Sequence, residues 1–403
     1  MSALARFRDS ASVVREADRV LFRNYKRAPV AFSHGRGVRL FDLEGREYLD
    51  FIGGIAVSSL GHAHPALVAA LADQAARYIH VSNLYQIPEQ VAAAERLVAA
   101  SGLPRAFFCN SGAEANEAAI KLARRYGARQ LGGRYEILTT YGSFHGRTIA
   151  TISATAQEKY QSGFQPLLQG FRYVPFGDVE AMAQAVREET VAILVEPIQG
   201  EGGVNVPPEG YLRRLRELCD RKRLLLMLDE VQVGMGRTGT LFAHEQDGIR
   251  PDIVTIAKAL GGGVPIGAML TIDEIAQALD TGAHGSTFGG NPLACAAGVA
   301  VLETIAAERL LDNCRAIGAR LHERLARLAA ELPMIRQVRG RGLILGVELD
   351  RPGRPLVGAA LERGLVINCT AETVIRLLPP LTLSAAEADE GLAILEGVLR
   401  AAS

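Results

Sequence analysis

The sequence predicts an α/β fold, with a large domain whose mostly parallel central sheet is flanked by helices and a smaller α+β domain built from both chain ends. Three observations carry this. Short apolar runs in the middle of the chain alternate with helical patterns. Several of those runs are apolar at every position, which marks strands covered on both faces. The two ends differ from the middle, with short strands and turns in front and mostly helix behind.

In chain order, GRGVRLFDLEGREYLDF reads as a small antiparallel unit turning around Glu44-Gly45. AFFCN (106–110) reads as a strand. It leads into a helix with Ala115, Ala118, Ala119, Leu122, Ala123 and Tyr126 at helical spacing. YEILTTY, VAILVEP (191–197), the helical YLRRLRELCDRK, LLLMLDEV (224–231), IVTIAKA (253–259) and GAMLTI (267–272) follow. After about residue 293 helix dominates, and VRGRGLILGVELD, GLVIN and VIRLLPP supply short strands. The last helix opens on Ser384-x-x-Glu387, a capping box, and sets Ala388, Leu392, Leu395 and Leu399 on one face. The expected division is 1–55 as the N-terminal part of the small domain, 56–292 as the large domain and 293–403 as the rest of the small domain.

Composition removes several function classes. The 403 residues suit one large domain and a smaller one. Lys+Arg and Asp+Glu are both 44, so the basic excess of a nucleic-acid binder is missing and no such partner is expected. Cys109, Cys219, Cys295, Cys314 and Cys369 are far apart with no CxxC pair, which argues for a reducing cytosol. MSALARFRDSASVVREADRV is charged throughout and does not read as a signal peptide. Residues 281–302 carry no charge but are rich in Gly, Asn, Ser and His, a loop running into a helix and not a membrane span. A cytoplasmic protein without a membrane partner is expected. His62-Ala63-His64-Pro65 reads as a turn before a helix, because no third ligand lies near it, and no metal is expected.

Three stretches point to chemistry. At Asn110-Ser111-Gly112-Ala113 a strand passes through a Ser-Gly turn into a helix. Such a turn is an ordinary cap, and its free N–H groups also suit a phosphate. Asp229-Glu230 stands where α/β enzymes keep ligands, beyond the carboxyl end of a strand, although one acid alone there would only mark the exit to solvent. Lys258 ends the apolar IVTIAKA and precedes three glycines. Each alone is weak. Together, on separate strands of one sheet, they are what pyridoxal phosphate requires: a phosphate cradle, a carboxylate for the pyridine nitrogen, and an amine of lowered pKa to condense with the aldehyde. Gly234-Met235-Gly236-Arg237-Thr238-Gly239 matches GxGxxG, but no helix starts there, so a dinucleotide site is not expected.

The stretches LDFIGGIAVSSLGHAHP, NSGAEANEAAIKLARR, FHGRT, VEPIQGEGGV, LDEVQVGMGRTG, PDIVTIAKALGGGVPIGAML, HGSTFGGNPLA and VIRLLPPL make the chain resemble the class III (subgroup II) pyridoxal-phosphate aminotransferases of fold type I over nearly its full length. The resemblance implies that Lys258 bonds the cofactor aldehyde and that Asp229 pairs with the pyridine nitrogen. It implies that Ser111, Gly112 and Ala113 hold the phosphate, that Phe144 and Val231 flank the ring, and that Gln232 meets the ring hydroxyl. Thr287, with Ser286, would reach the phosphate in the neighbouring subunit, so a homodimer with shared active sites is implied.

Arg376 interrupts an apolar strand, and an unpaired buried guanidinium is costly, so it needs an anion. A structural salt bridge is the plain reading of it and of Arg147. By resemblance, Arg376 binds the α-carboxylate of glutamate or 2-oxoglutarate, and Arg147 binds the other carboxylate and that of an acyl-ornithine. Glu201 would be the movable partner that neutralises Arg376, and Tyr25 would line the pocket. Ornithine δ-aminotransferases carry a tyrosine where this chain has Ile55, which argues against free ornithine. The implied reaction moves the δ-amine of N2-acetyl-L-ornithine to 2-oxoglutarate, giving N-acetyl-L-glutamate 5-semialdehyde and L-glutamate, in arginine biosynthesis. Free ornithine, succinylornithine, 4-aminobutyrate, succinyl-diaminopimelate and carrier-linked lysine donors are the alternatives.

Overall fold

After an opening helix, Ser10–Val20, the chain forms an antiparallel meander: β1 (Phe32–Arg36), β2 (Arg39–Asp42) and β3 (Glu47–Asp50). Asp42 closes its second turn, accepting from the backbone N–H of Glu44 at 3.0 Å and of Arg46 at 2.7 Å. The structure is a computed structural model and describes residues 7–403; residues 1–6, the start of the N-terminal stretch read above, lie outside the described residues.

The central sheet has seven strands: β4 (Arg105–Cys109), β5 (Glu136–Thr140), β6 (Phe171–Val174), β7 (Thr190–Val195), β8 (Leu225–Asp229), β9 (Ile253–Ile256) and β10 (Gly267–Thr271). Their order is β4-β10-β9-β8-β7-β5-β6. The pairs from β6 to β9 are parallel, and β10 runs antiparallel to both β9 and β4. Continuous apolarity has the cause expected of it. In β8, Leu226 and Leu228 enter one hydrophobic core while Leu225 and Met227 enter another on the opposite face. In β7, Ile193 and Val195 join the first core, and Ala192 and Leu194 the second. Burying one such side chain is worth about 1.5–3 kcal/mol, so both faces need cover. The helix Gly112–Gln130 packs across β7 to β10, and Tyr211–Lys222 packs on β8.

The remaining strands are β11 (Ile335–Arg341), β12 (Ile344–Leu349), β13 (Leu365–Val366), β14 (Asn368–Thr370) and β15 (Val374–Leu377). They form a sheet of order β11-β12-β15-β14, except that β13 pairs in parallel with β3. GLVIN is therefore not one strand of one sheet; it hands the chain from the N-terminal sheet to the C-terminal one. The last helix, Ala385–Ala401, opens on the Ser384–Glu387 capping box read from the sequence.

One helix just past the expected division at 292/293 packs on the large sheet unit. The helix Pro292–Ala307 lies against Pro65–Arg77, Pro88–Ser101 and the turn that carries Lys258. Its apolar residues occur nearly all round, and a helix buried on most sides belongs with the layer that buries it. By its contacts it goes with the large sheet unit.

Two helical glycines should respond in opposite directions to alanine. Gly358, in the helix Arg354–Glu362, has open space where a Cβ would stand, so Gly358→Ala should stabilise by about 0.5–1 kcal/mol. At Gly127 a Cβ would lie 2.1 Å from the carbonyl oxygen of Arg134, so Gly127→Ala should destabilise by roughly 1–3 kcal/mol. Thermal unfolding of the two variants checks the sign of each.

Candidate active site

One edge of the central sheet gathers the site. The carboxyl ends of β4, β5, β7, β8 and β9 lead to Asn110, Phe144, Glu196, Asp229 and Lys258, and the reversed β10 brings Pro265 and Ile266 to the same edge. These residues line a cavity of about 430 Å³, together with Ser111, Gly112, Ala113, Arg147, Glu201, Val231 and Gln232. Ligands in open α/β sheets bind at this edge because the strands stop there and the loops leave room.

Asp229 lies deep in the cavity, 4% exposed. Its Oδ1 accepts from the backbone N–H of Val231 at 3.0 Å, and its Oδ2 accepts from Asn116 Nδ2 at 2.7 Å. His145 Nδ1 lies 2.8 Å from the same Oδ2, so an ionised Asp229 is satisfied only when the His145 proton is on Nδ1. Asn116 is itself fixed: it donates to the His145 carbonyl at 2.8 Å and accepts from Thr255 Oγ1 at 2.7 Å. Beside this group, Glu196 accepts the N–H of Phe144 at 2.9 Å and of Gly200 at 3.1 Å. Burial pushes the Glu196 carboxyl up to about 7; the Asp229 charge adds to the rise and His145 opposes it.

Lys258 opens a short 3₁₀ turn directly after β9, with φ +42°. A left-handed residue with a Cβ costs about 1–2 kcal/mol, and such strain is held where the surroundings over-determine it. The chain then turns away at Gly262, whose φ is +58° and where a Cβ would meet Leu67 at 2.8 Å. Burial drives the Lys258 pKa below its ordinary value. Glu201 resists that fall, and Arg376 adds to it.

Arg376 stands in β15 with no solvent exposure. It donates from Nη1 to Glu201 Oε1 at 2.6 Å and to Gln232 Oε1 at 3.0 Å, and from Nε to Asn368 Oδ1 at 3.3 Å. Its Nη2 is buried without a partner. Burial would raise the Glu201 carboxyl, but Arg376 and Lys258 outweigh it and hold that carboxyl low.

The structure therefore brings together most residues selected from the sequence. Arg147 is exposed at the cavity, its guanidinium 4.2 Å from the Tyr160 ring centroid. Ser286 is joined to the cavity through Asn110, which donates to its Oγ at 3.1 Å, and Thr287 is exposed and does not line the cavity of its own chain. Tyr25 is not among the residues that line this cavity. It is 69% exposed and lines a second cavity with Val14, Phe32, Val357 and Leu361. No periodic pattern in residues 21–31 indicated where that segment packs. GMGRTG is a turn with no helix, and its Arg237 is buried against the carbonyls of Leu343 and Pro379. His62 pairs with Asp50 at 2.8 Å, and His64 caps a helix start. Sequence reasoning missed His145, Asn116 and Glu196. The only signals were polar residues at a strand end and inside otherwise apolar patterns.

The residues fit pyridoxal phosphate. Ser111 caps the helix Gly112–Gln130 through Glu114 N, which leaves the first N–H groups of that helix free for a phosphate. A Cβ on Gly112 would stand 2.6 Å from Val231 Cγ1, so the cradle and the Val231 wall close on each other only with glycine there. His145 Nε2 is also buried and unpartnered, behind the carboxylate expected to face the pyridine ring.

In cofactor-free protein the Lys258 amine should titrate below about 10.4. Glu201→Gln removes a charge that holds the proton on, so the pKa should fall further. Arg376→Met removes a repelling cation and should raise it. Labelling of Lys258 as a function of pH, read by mass spectrometry, measures both; an unchanged midpoint in both variants would refute this electrostatic account.

The aminotransferase class-III family model matches residues 21–399. Acetylornithine aminotransferase 1 of Bordetella bronchiseptica is 53% identical over 378 residues, 93% of this chain and 96% of that one. The crystal structure of N-acetylornithine aminotransferase from Stenotrophomonas maltophilia superposes with a TM-score of 0.83 at 39% identity, covering 96% of this chain and 98% of that one. An ornithine aminotransferase from Toxoplasma gondii, described with partial occupancy of pyridoxal phosphate at its active site, superposes with a TM-score of 0.95 at 35% identity over 98% of this chain and 95% of that one. The chain belongs to the class III aminotransferases, a family of pyridoxal-phosphate-dependent enzymes.

Proposed function

We propose that the chain transfers the δ-amine of N2-acetyl-L-ornithine to 2-oxoglutarate, giving N-acetyl-L-glutamate 5-semialdehyde and L-glutamate. The observation that carries this reading is the Arg376–Glu201 pair, 2.6 Å apart, with the arginine fully buried. A donor that reacts through an amine distant from its carboxylate brings no anion to Arg376, and Glu201 stays in place. 2-Oxoglutarate brings a carboxylate next to its reacting carbon, which needs Arg376 free. The Glu201 carbonyl accepts from Thr370 Oγ1, so the exchange needs the side chain alone to move. The relatives at about half identity support the acylated donor. Close superposition on an ornithine aminotransferase shows that overall fold alone does not select the donor. Ile55, in place of the tyrosine of ornithine δ-aminotransferases, favours the acylated amine.

When bound, pyridoxal phosphate supplies an aldehyde carbon that takes up the amine and a ring that accepts the electrons of the breaking C–H bond. The chain's residues do the rest. Lys258 Nζ would bond the aldehyde of the resting cofactor, and as a free amine it would carry a proton between the substrate carbon and the cofactor's C4′ carbon. Burial lowers its pKa, which favours the neutral amine that a base requires. Asp229 would pair with the pyridine nitrogen and its proton. The N–H groups at Ser111, Gly112 and Ala113 would hold the phosphate, Phe144 and Val231 would flank the ring, and Gln232 would meet its hydroxyl. Arg147 takes the distal carboxylate of either substrate, as a planar guanidinium does in two parallel hydrogen bonds.

We also infer a homodimer in which Thr287, with Ser286, reaches the phosphate of the neighbouring subunit. Exposed apolar side chains support it: Ile79, Val81, Leu84 and Tyr85 lie in one segment, and Phe288 beside Thr287 sits 5.4 Å from the His80 ring.

A panel of amino donors assayed against 2-oxoglutarate should give N2-acetyl-L-ornithine the highest kcat/KM; a preference for free ornithine or 4-aminobutyrate would overturn the assignment. Arg376→Ala should cut the 2-oxoglutarate half-reaction by about 100-fold or more and the donor half-reaction far less, since truncating one partner of a buried charge pair costs about 2–5 kcal/mol. Equal losses in single-turnover measurements of the two halves would sink the exchange at Glu201. Dilution to monomer should release the cofactor, followed by its visible absorbance; a monomer of full cofactor affinity would refute the shared site.

A further inference from the structure

Arg147 poses a physical problem. It is exposed, and no carboxylate of the described residues forms an ion pair with it. A free arginine side chain has many rotamers, and a substrate carboxylate that binds it must offset the cost of ordering it. The structure supplies an ordering element. The Arg147 guanidinium stands 4.2 Å from the centroid of the Tyr160 ring, well inside cation–π range. The same ring meets Phe144 edge-on, with centroids 5.4 Å apart and planes at 76°. Lys159 Nζ lies 4.8 Å from it as well.

The ring is held by its own turn. Gln157 donates from Nε2 to the carbonyls of Gly142 at 3.2 Å and Ser143 at 2.8 Å, the two residues that precede Phe144. Gln161 donates from Nε2 to the Thr155 carbonyl at 2.8 Å and to Tyr173 Oη at 3.0 Å. Tyr160 lies between these two fastenings, in the short turn Glu158–Gln161. Its ring is thus fixed to the loop that carries both Phe144 and Arg147.

We propose that Tyr160 is a positioning residue for substrate-carboxylate binding: its ring pre-orders the Arg147 guanidinium at the cavity. Both substrates present a carboxylate to Arg147, so both use this pre-ordering. The inference rests on the reading of Arg147 as the carboxylate-binding arginine.

The test is steady-state kinetics of the holoenzyme with N2-acetyl-L-ornithine and 2-oxoglutarate, alongside the cofactor dissociation constant, for Tyr160→Leu, Tyr160→Phe and Arg147→Met. Tyr160→Leu should raise KM for both substrates roughly two- to thirty-fold, the range of a cation–π contact, with kcat and cofactor affinity changed much less. Tyr160→Phe keeps the ring and should restore KM to near the parent value. Arg147→Met should raise both KM values at least as much as Tyr160→Leu. A Tyr160→Leu enzyme with unchanged KM, or a Tyr160→Phe enzyme as impaired as it, overturns the proposal while Arg147→Met still raises KM. A loss of cofactor affinity that matches the KM change also overturns it, because Tyr160 would then act through Phe144. If Arg147→Met leaves both KM values unchanged, the carboxylate reading of Arg147 fails, and the proposal with it.

Discussion

A guanidinium without solvent contact, Arg376, is held by one carboxylate that keeps some exposure, Glu201, at 2.6 Å. Breaking a buried pair by removing one partner costs about 3–5 kcal/mol, so any event that draws Glu201 away must bring another anion. The site depends on this constraint. It joins β15 of the C-terminal sheet to the loop after β7 of the central sheet, so Arg376 meets two residues of the cavity wall, Glu201 and Gln232. It also reaches Lys258, where the two partners push the pKa in opposite directions.

Around that pair the charges form a coupled set. Asp229, His145 and Asn116 are joined by hydrogen bonds of 2.7 and 2.8 Å, and Glu196 lies close enough to respond to Asp229 and His145. Burial is what pushes the Glu196 carboxyl up to about 7, with the Asp229 charge adding to the rise and His145 opposing it. In so little water each charge acts strongly on its neighbours, and backbone N–H groups do much of the neutralising. The strain at Lys258 belongs to the same design, since the amine must leave the sheet plane sharply to reach the cavity.

Much of this was legible in the chain. Continuous apolar runs in the middle implied a sheet covered on both faces, and the alternation of β7 and β8 between two cores is the reason. Lys258, Asp229 and Ser111 could be chosen because each is polar at the end of an apolar run. Asn116 and His145 could not. Asn116 lies one turn inside a helix full of alanines, and nothing in its spacing says that it meets a strand-end acid 113 positions away. Tyr25 was placed by likeness to a family, and its segment packs against a different part of the chain.

The sequence by itself determined the local elements and the residue types at their ends, because periodicity, caps and turns are properties of neighbouring residues. The tertiary structure decided the reversed β10, the hand-over at β13 and the packing of Pro292–Ala307 on the central unit. It also decided which charges meet. Arg376 and Glu201 are 175 positions apart, and their contact exists only because β15 lies against the loop after β7. Pairing across such distances is set by the burial of whole faces, which no short stretch of sequence records.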